Sequence, residues 1–176
     1  MSTKRILANE IDSNLDYEVI GLDLAKQNVS FVGITTDGEV IRIDRVDYSV
    51  LLEKATEMAP TTFGMEPCTE MNWLCNELKQ RGHICKVFSG LAVQAQIQAF
   101  FSGQKNDLND AEAIAFLAKD DRLTSIRAKT QEEMILQSLC AARELHLKHS
   151  KAILVSFWSC SNDMCPKDLL SEAKSC

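Results

Sequence analysis

The sequence predicts an α/β fold: a mixed sheet with flanking helices, followed by a long C-terminal helix. Three observations carry that expectation. Up to Asp44 the apolar residues fall in short, β-branched runs, two of them joined by the turn signal Asp37-Gly38. From Tyr48 to Asp120, short apolar runs alternate with segments whose apolar residues recur every third or fourth position. From Thr130 one helical pattern continues as far as Trp158.

Taken in order, residues 1–16 are polar and aperiodic, and are expected to form a flexible leader. Tyr17–Ala25 is a buried strand with Asp23 near its end. Val29–Thr35 is a second strand. Glu39–Asp44 is a third, in which Val40, Ile41 and Ile43 are interspersed with charge, so the domain opens as an antiparallel meander. Tyr48–Met58 is a short helix, and Thr61–Glu66 a short strand that again ends in an acid. Thr69–Arg81 is helical, with Met71, Leu74, Cys75 and Leu78 on one side and Gly82 as its stop; Trp73 is expected in the core. Ile84–Phe88 is a fifth strand, Leu91–Phe101 a helix and Ser102–Asn106 a polar loop. The helix that follows buries Leu108, Ala111, Ile114, Ala115 and Ala118. Strands that alternate with helices are expected to pair parallel with the first. The α/β domain thus spans residues 17–128. A helical arm over 129–158 opens on the capping box Thr130-Gln131-Glu132-Glu133, and residues 159–176 are expected to be an irregular tail.

Composition narrows the class. At 176 residues, 45% hydrophobic and 25% charged, the chain has a globular balance and enough length for one core. A net charge of -6 and a pI near 5.1 do not announce nucleic-acid binding, although a cation-loaded acidic site meets phosphates locally. No apolar run approaches the ~18 residues of a membrane span, and Met1-Ser2-Thr3-Lys4-Arg5 does not lead into a signal-peptide apolar region. The seven cysteines are odd in number and lack a C-x-x-C pair, which predicts the free thiols of a cytoplasmic protein.

Four carboxylates carry the chemistry. Asp23 and Glu66 each end an apolar strand, and ligands of open α/β sheets gather beyond the carboxyl ends of strands. Asp107 and Asp110 open a helix three residues apart and so share a face. Taken alone, Asp107 reads as a cap and Asp110 as an acid suited to the positive first turn. Taken together, four acids at one point repel unless cations hold them. Two Mg²⁺ ions roughly 3.5–4 Å apart, with Mn²⁺ as a substitute, make such a set a phosphodiester-cleaving site. Acids after the first and fourth strands with an Asp-x-x-Asp helix form the ribonuclease-H-like arrangement.

The residues Gly21-Leu22-Asp23-Leu24-Ala25-Lys26, Met65-Glu66-Pro67-Cys68 through Trp73 to Gly82-His83, and Lys105-Asn106-Asp107-Leu108-Asn109-Asp110-Ala111-Glu112-Ala113-Ile114 resemble a known family. It is that of the DEDD transposases of bacterial insertion sequences, which includes the Piv-type DNA invertases, in their N-terminal RuvC-like domain. The likeness covers about residues 18 to 157, and the last motif is the most specific. After Glu66 the family carries small residues including a glycine, where this chain has Pro67, Thr69 and Glu70. The resemblance implies that Asp23, Glu66, Asp107 and Asp110 are the catalytic and metal-binding residues of Mg²⁺-dependent DNA cleavage and strand transfer in a bacterial cytoplasm. It brings DNA as a partner and raises a guide RNA. Lys105, Arg143, Lys148 and Lys151 are the candidate nucleic-acid contacts, and the long helix the candidate surface for a homo-oligomer. Family members continue into a second domain with a catalytic serine, which the tail beyond Ser159 does not resemble. A second reading is therefore a non-catalytic remnant acting as a dimerisation or inhibitory module. A third, an ATPase half of the sugar-kinase type, lacks its glycine-rich phosphate loops among the seven glycines present.

Overall fold

The structure, a computed structural model, describes residues 5–7, 10–104 and 106–164. Six strands form one sheet: β1 (Arg5–Leu7), β2 (Tyr17–Leu24), β3 (Asn28–Thr35), β4 (Val40–Asp47), β5 (Thr62–Met65) and β6 (Ile84–Val87), in the order β1-β4-β3-β2-β5-β6. The helices are α1 (Tyr48–Glu57), α2 (Met71–Gln80), α3 (Gly90–Phe101), α4 (Asp107–Lys119) and α5 (Gln131–Met164). β2, β3 and β4 pair antiparallel as the expected meander, and β5 and β6 add parallel beside β2. The turn between β3 and β4 places Gly38 at φ 84°, a conformation that glycine adopts without steric cost.

Two expectations fail at the ends. Residues 1–16 are not simply a flexible leader: Arg5–Leu7 pairs parallel with β4, and Ile11 is buried in the core. A three-residue edge strand is too short to leave a periodicity in the sequence. The long helix passes Trp158 and runs to Met164, so residues 159–164 of the expected irregular tail are helical. Ser161, Asn162 and Asp163 lower helix propensity by tenths of a kcal/mol each, too little to stop a helix already propagating. Residues 165–176 lie outside the described residues. The chain divides into two compact units, 1–130 and 131–176.

Each face of the sheet has its own core. On one, Ile20, Leu22, Phe31, Phe63 and Met65 pack with Leu51 of α1 and Leu74, Cys75 and Leu78 of α2. His83 ties this side together. Its Nδ1 accepts from Thr61 N at 3.2 Å, which leaves Nε2 to donate to Ala55 O at 2.7 Å. On the other face Val19, Val32, Ile34 and Val40 meet Val93 and Ile97 of α3 and Ala111, Ile114, Ala115 and Ala118 of α4. Cys68, Cys75, Cys85 and Cys140 are free thiols.

α4 lies directly on the backbone of the two central strands. A Cβ at Gly21 of β2 would overlap the Ala111 carbonyl and stand 2.5 Å from Ala115 N. One at Gly64 of β5 would come within 2.9 Å of both Ile114 Cγ2 and Ala118 Cβ. These obstacles include helix backbone, which cannot swing aside. Gly21→Ala should therefore destabilise the domain by about 3 kcal/mol in urea unfolding. Gly38→Ala meets nothing within 4 Å and should lose only about 1 kcal/mol, from its positive φ. Equal losses at the two positions would refute the close helix seat.

Candidate active site at the carboxyl end of the sheet

Strand direction collects the site. β4, β2, β5 and β6 all run the same way, so the segments that follow them open at one end of the sheet. Leu22 is in register with Met65, and the next residues along the two strands are Asp23 and Glu66. Neighbouring strands are about 4.8 Å apart, which sets these two acids side by side. Side-chain alternation decides their face. Val19 and Gly21 face α4 while Ile20 and Leu22 face α1 and α2, so Asp23 turns toward α4. On β5, Phe63 and Met65 face away from α4 and Gly64 toward it, and Glu66 continues that alternation. A Cβ on Gly90 would lie 3.5 Å from Glu66 Oε2, so this carboxylate sits over the first residue of α3, where a helix start favours an anion.

α4 brings the other two acids. Lys119 at its last turn pairs with Glu18 at the start of β2 at 2.7 Å, while Ala111 rests on Gly21. The helix thus runs antiparallel to β2, and its first turn, with Asp107 and Asp110, comes to the end where Asp23 lies. Asp110 is buried; Asp107 is exposed. The cap is Asn106, not Asp107: the Asn106 side chain accepts from Asn109 N at 2.8 Å. That frees the Asp107 carboxylate from the capping role. Asp107 instead lines a cavity of about 430 Å³ with Arg42, Asp44, Gln104, Asn106, Leu108 and Asn109.

Several residues at this end were not singled out by sequence reasoning. Ser30 pairs across from Asp23 and donates to Asp44 Oδ1 at 3.3 Å, which brings a fifth acid to the neighbourhood. Glu112 is 0% exposed and pairs with Arg42 at 3.2 Å. The only sequence signal for them was the charge interspersed along Glu39–Asp44, which put Arg42 and Asp44 on one strand face. Trp73 is not in the core. It is 44% exposed and meets the ring of Tyr48 edge-on at 5.6 Å, because it falls on the side of α2 away from Met71, Leu74 and Cys75. The Tyr48 hydroxyl donates to Ala25 O at 2.6 Å, which fastens the start of α1 beside the end of β2.

Lys105 lies outside the described residues. Arg143, Lys148 and Lys151 are exposed on α5, in the second unit. At about 100° per residue they fall within an arc of about 140°, on one side of the helix. The four acids share donor chemistry suited to a hard cation. Yet among the described residues no three His, Cys, Asp or Glu side chains stand as a ready metal-holding group. No helix among the described residues is long and apolar enough to cross a membrane.

A mixed sheet of this order, with an Asp-x-x-Asp helix laid across its two central parallel strands, defines a ribonuclease-H-like α/β domain. The comparisons are more specific. A sequence profile of the IS110-type DEDD transposases, described as "Transposase", matches residues 20–152, and the chain belongs to that family. It is 26% identical over 145 residues to the transposase for insertion sequence element IS1111A of Coxiella burnetii, covering 79% of this chain and 37% of the relative. It is 27% identical over 124 residues to a probable family 20 transposase of Pseudomonas aeruginosa, covering 70% and 36%. A third relative, the transposase for IS1328 of Yersinia enterocolitica, is 24% identical over 126 residues, covering 72% and 36%. The chain thus spans little more than a third of the length of these relatives.

The tyrosines report on this architecture. Burial raises Tyr48 from its ordinary 10.0 to about 12, helped by the charges of Cys68, Glu70 and Asp23. Burial, then the charge of Asp12, raises Tyr17 to about 12 as well. The fold favours the neutral phenols. Their contribution to stability is complete below pH 10 and is lost as pH climbs through about 12. Phenolate absorbance of the folded chain should therefore stay flat through pH 10 and rise near pH 12, whereas in urea it should rise near 10. A normal titration in the folded chain would mean that neither ring is shielded as described.

Proposed function

We propose that this chain is the catalytic domain of a DNA transposase that carries out divalent-metal-dependent phosphodiester cleavage and strand transfer. The observation that carries the reading is the convergence at one sheet end, and on one sheet face, of Asp23, Glu66 and the Asp107–Asp110 helix turn. Membership of a transposase family supports DNA as the substrate class. Asp23, Glu66, Asp107 and Asp110 are the residues that would hold Mg²⁺, or Mn²⁺ in its place. Bound there, the cation would activate the attacking oxygen and stabilise the leaving one. Asp23 is held by sheet pairing, Glu66 directly follows the paired Met65, and the two helix acids are carried by the seat of α4. Carboxylates gathered at one end of the sheet would repel a DNA phosphate until cations neutralise them. This accounts for an acidic chain, with a net charge of -6, acting on a polyanion. Lys105, Arg143, Lys148 and Lys151 are proposed to contact DNA phosphates or those of a guide RNA.

A second reading concerns partners. The exposed residues Ile135, Leu139, Ala142, Ile153 and Phe157 of α5 recur at helical spacing, with His146 and His149 between them. We propose that this stripe joins copies of the chain, as a non-catalytic dimerisation module would. Light scattering after size exclusion should give a dimer or larger species that Leu139→Glu dissociates; a monomer at high concentration would oppose it.

Calorimetric titration of Mg²⁺ and Mn²⁺ tests the catalytic reading. Saturable binding is expected in the wild type and should weaken about tenfold or more in Asp23→Asn and Asp107→Ala. Cleavage of branched DNA should fall in the same variants. Metal binding indifferent to both substitutions would sink the four-acid site.

A further inference from the structure

We infer that Arg42 is the positioning residue of this site: through Glu112 and Asn109 it sets the rotation of α4 about its own axis, and so the bearing of Asp107 and Asp110 on Asp23 and Glu66. The inference rests on the four-acid reading above and extends it to three residues that touch no substrate.

Arg42 stands on β4, two strands from β2, with its side chain 14% exposed. Its Nη1 lies 3.2 Å from Glu112 Oε2, and its Nη2 donates to Asn109 Oδ1 at 2.8 Å. Asn109 Nδ2 in turn donates to Gln104 O at 2.9 Å. One guanidinium thereby joins a sheet strand, two successive turns of α4 and the loop before it. Arginine suits the task because its planar guanidinium donates to Asn109 while its charge lies beside Glu112, a reach over two groups that a lysine ammonium matches less well.

The clamp supplies what the glycine seat lacks. Ala111 and Ala115 meet Gly21, and Ala118 meets Gly64, so most of the surfaces in contact are small and smooth. Such a contact fixes how close the helix comes but resists rolling poorly. A roll of about 20° would move a carboxylate roughly 6 Å from the axis by about 2 Å, beyond the ~0.5 Å tolerance of a working site. Asn109 and Glu112 lie on the flank of α4 toward β4, and the bonds from Arg42 pin that flank. A buried ion pair gains little stability over an apolar pair of equal volume, because desolvation offsets its attraction. Glu112, at 0% exposure, therefore contributes geometry rather than stability.

The test replaces the clamp without unfolding the domain. Arg42→Met combined with Glu112→Leu should melt at or above the wild-type temperature, yet bind Mn²⁺ about tenfold more weakly. Amide hydrogen exchange over residues 107–112 should quicken in it while β2 and β5 stay protected. Arg42→Lys keeps a charge beside Glu112 but loses the fork; it should shift both readouts in the same direction, and serves if the double variant does not fold. Either folded variant with wild-type Mn²⁺ affinity and wild-type exchange would overturn the assignment. If the wild type itself shows no Mn²⁺ binding sensitive to Asp23→Asn, the four-acid reading fails separately. Exchange over 107–112 then decides the clamp, and an unchanged rate in Arg42→Lys overturns it.

Discussion

Everything at the candidate site depends on how closely α4 can approach the sheet. Gly21 and Gly64 are in register on adjacent parallel strands, so together they make a bare patch of backbone. The helix seats there mainly through small residues, Ala111, Ala115 and Ala118, with Ile114 beside them over Gly64. Packing this tight gains dispersion contacts on both sides and leaves no void for water. It also has a directional consequence. Asp23 lies two residues beyond Gly21 and Glu66 two beyond Gly64, while Asp107 lies one helical turn before Ala111. Fixing the glycine contact brings all of these acids to the same end.

The same seat explains why α4 is buried nearly all round and still carries charge. Its outer flank is covered by α3, through Val93 and Ile97, and its other side is reached by Arg42. Lys86 donates to Ala118 O at 2.8 Å, and Lys119 pairs with Glu18. Cations thus hold the helix at its tail and on its flank, while the acids of its first turn are gathered with those of the strands. The paired charges serve the seat of the helix.

The architecture was largely legible because each element announces itself locally. Asp37-Gly38 sets a hairpin, the β2 and β3 runs are mostly apolar, and α2 shows its apolar side at Met71, Leu74, Cys75 and Leu78. Pairing of β5 beside β2 followed from the helices between the strands. Edges and ends were less legible. β1 has three residues and pairs with β4 at the sheet edge, and α5 continues through weak helix formers by propagation. Trp73 was misplaced although the signal was present: it lies opposite Met71, Leu74, Cys75 and Leu78 on α2, and an expectation from the size of its side chain overrode that periodicity.

By itself the sequence determined the strand and helix order and the four acids at element boundaries, because those depend on local propensity and periodicity. The family resemblance was likewise carried by motifs contiguous in the chain. Tertiary structure alone decided that Asn106 takes the cap and leaves Asp107 exposed, that Asp44 reaches Ser30 beside Asp23, and that Glu112 is buried against Arg42. Arg42 and Glu112 are far apart in sequence, and nothing in either segment names the other. Their pairing follows from strand order and from the depth at which two glycines let a helix settle, quantities that exist only once the sheet has formed.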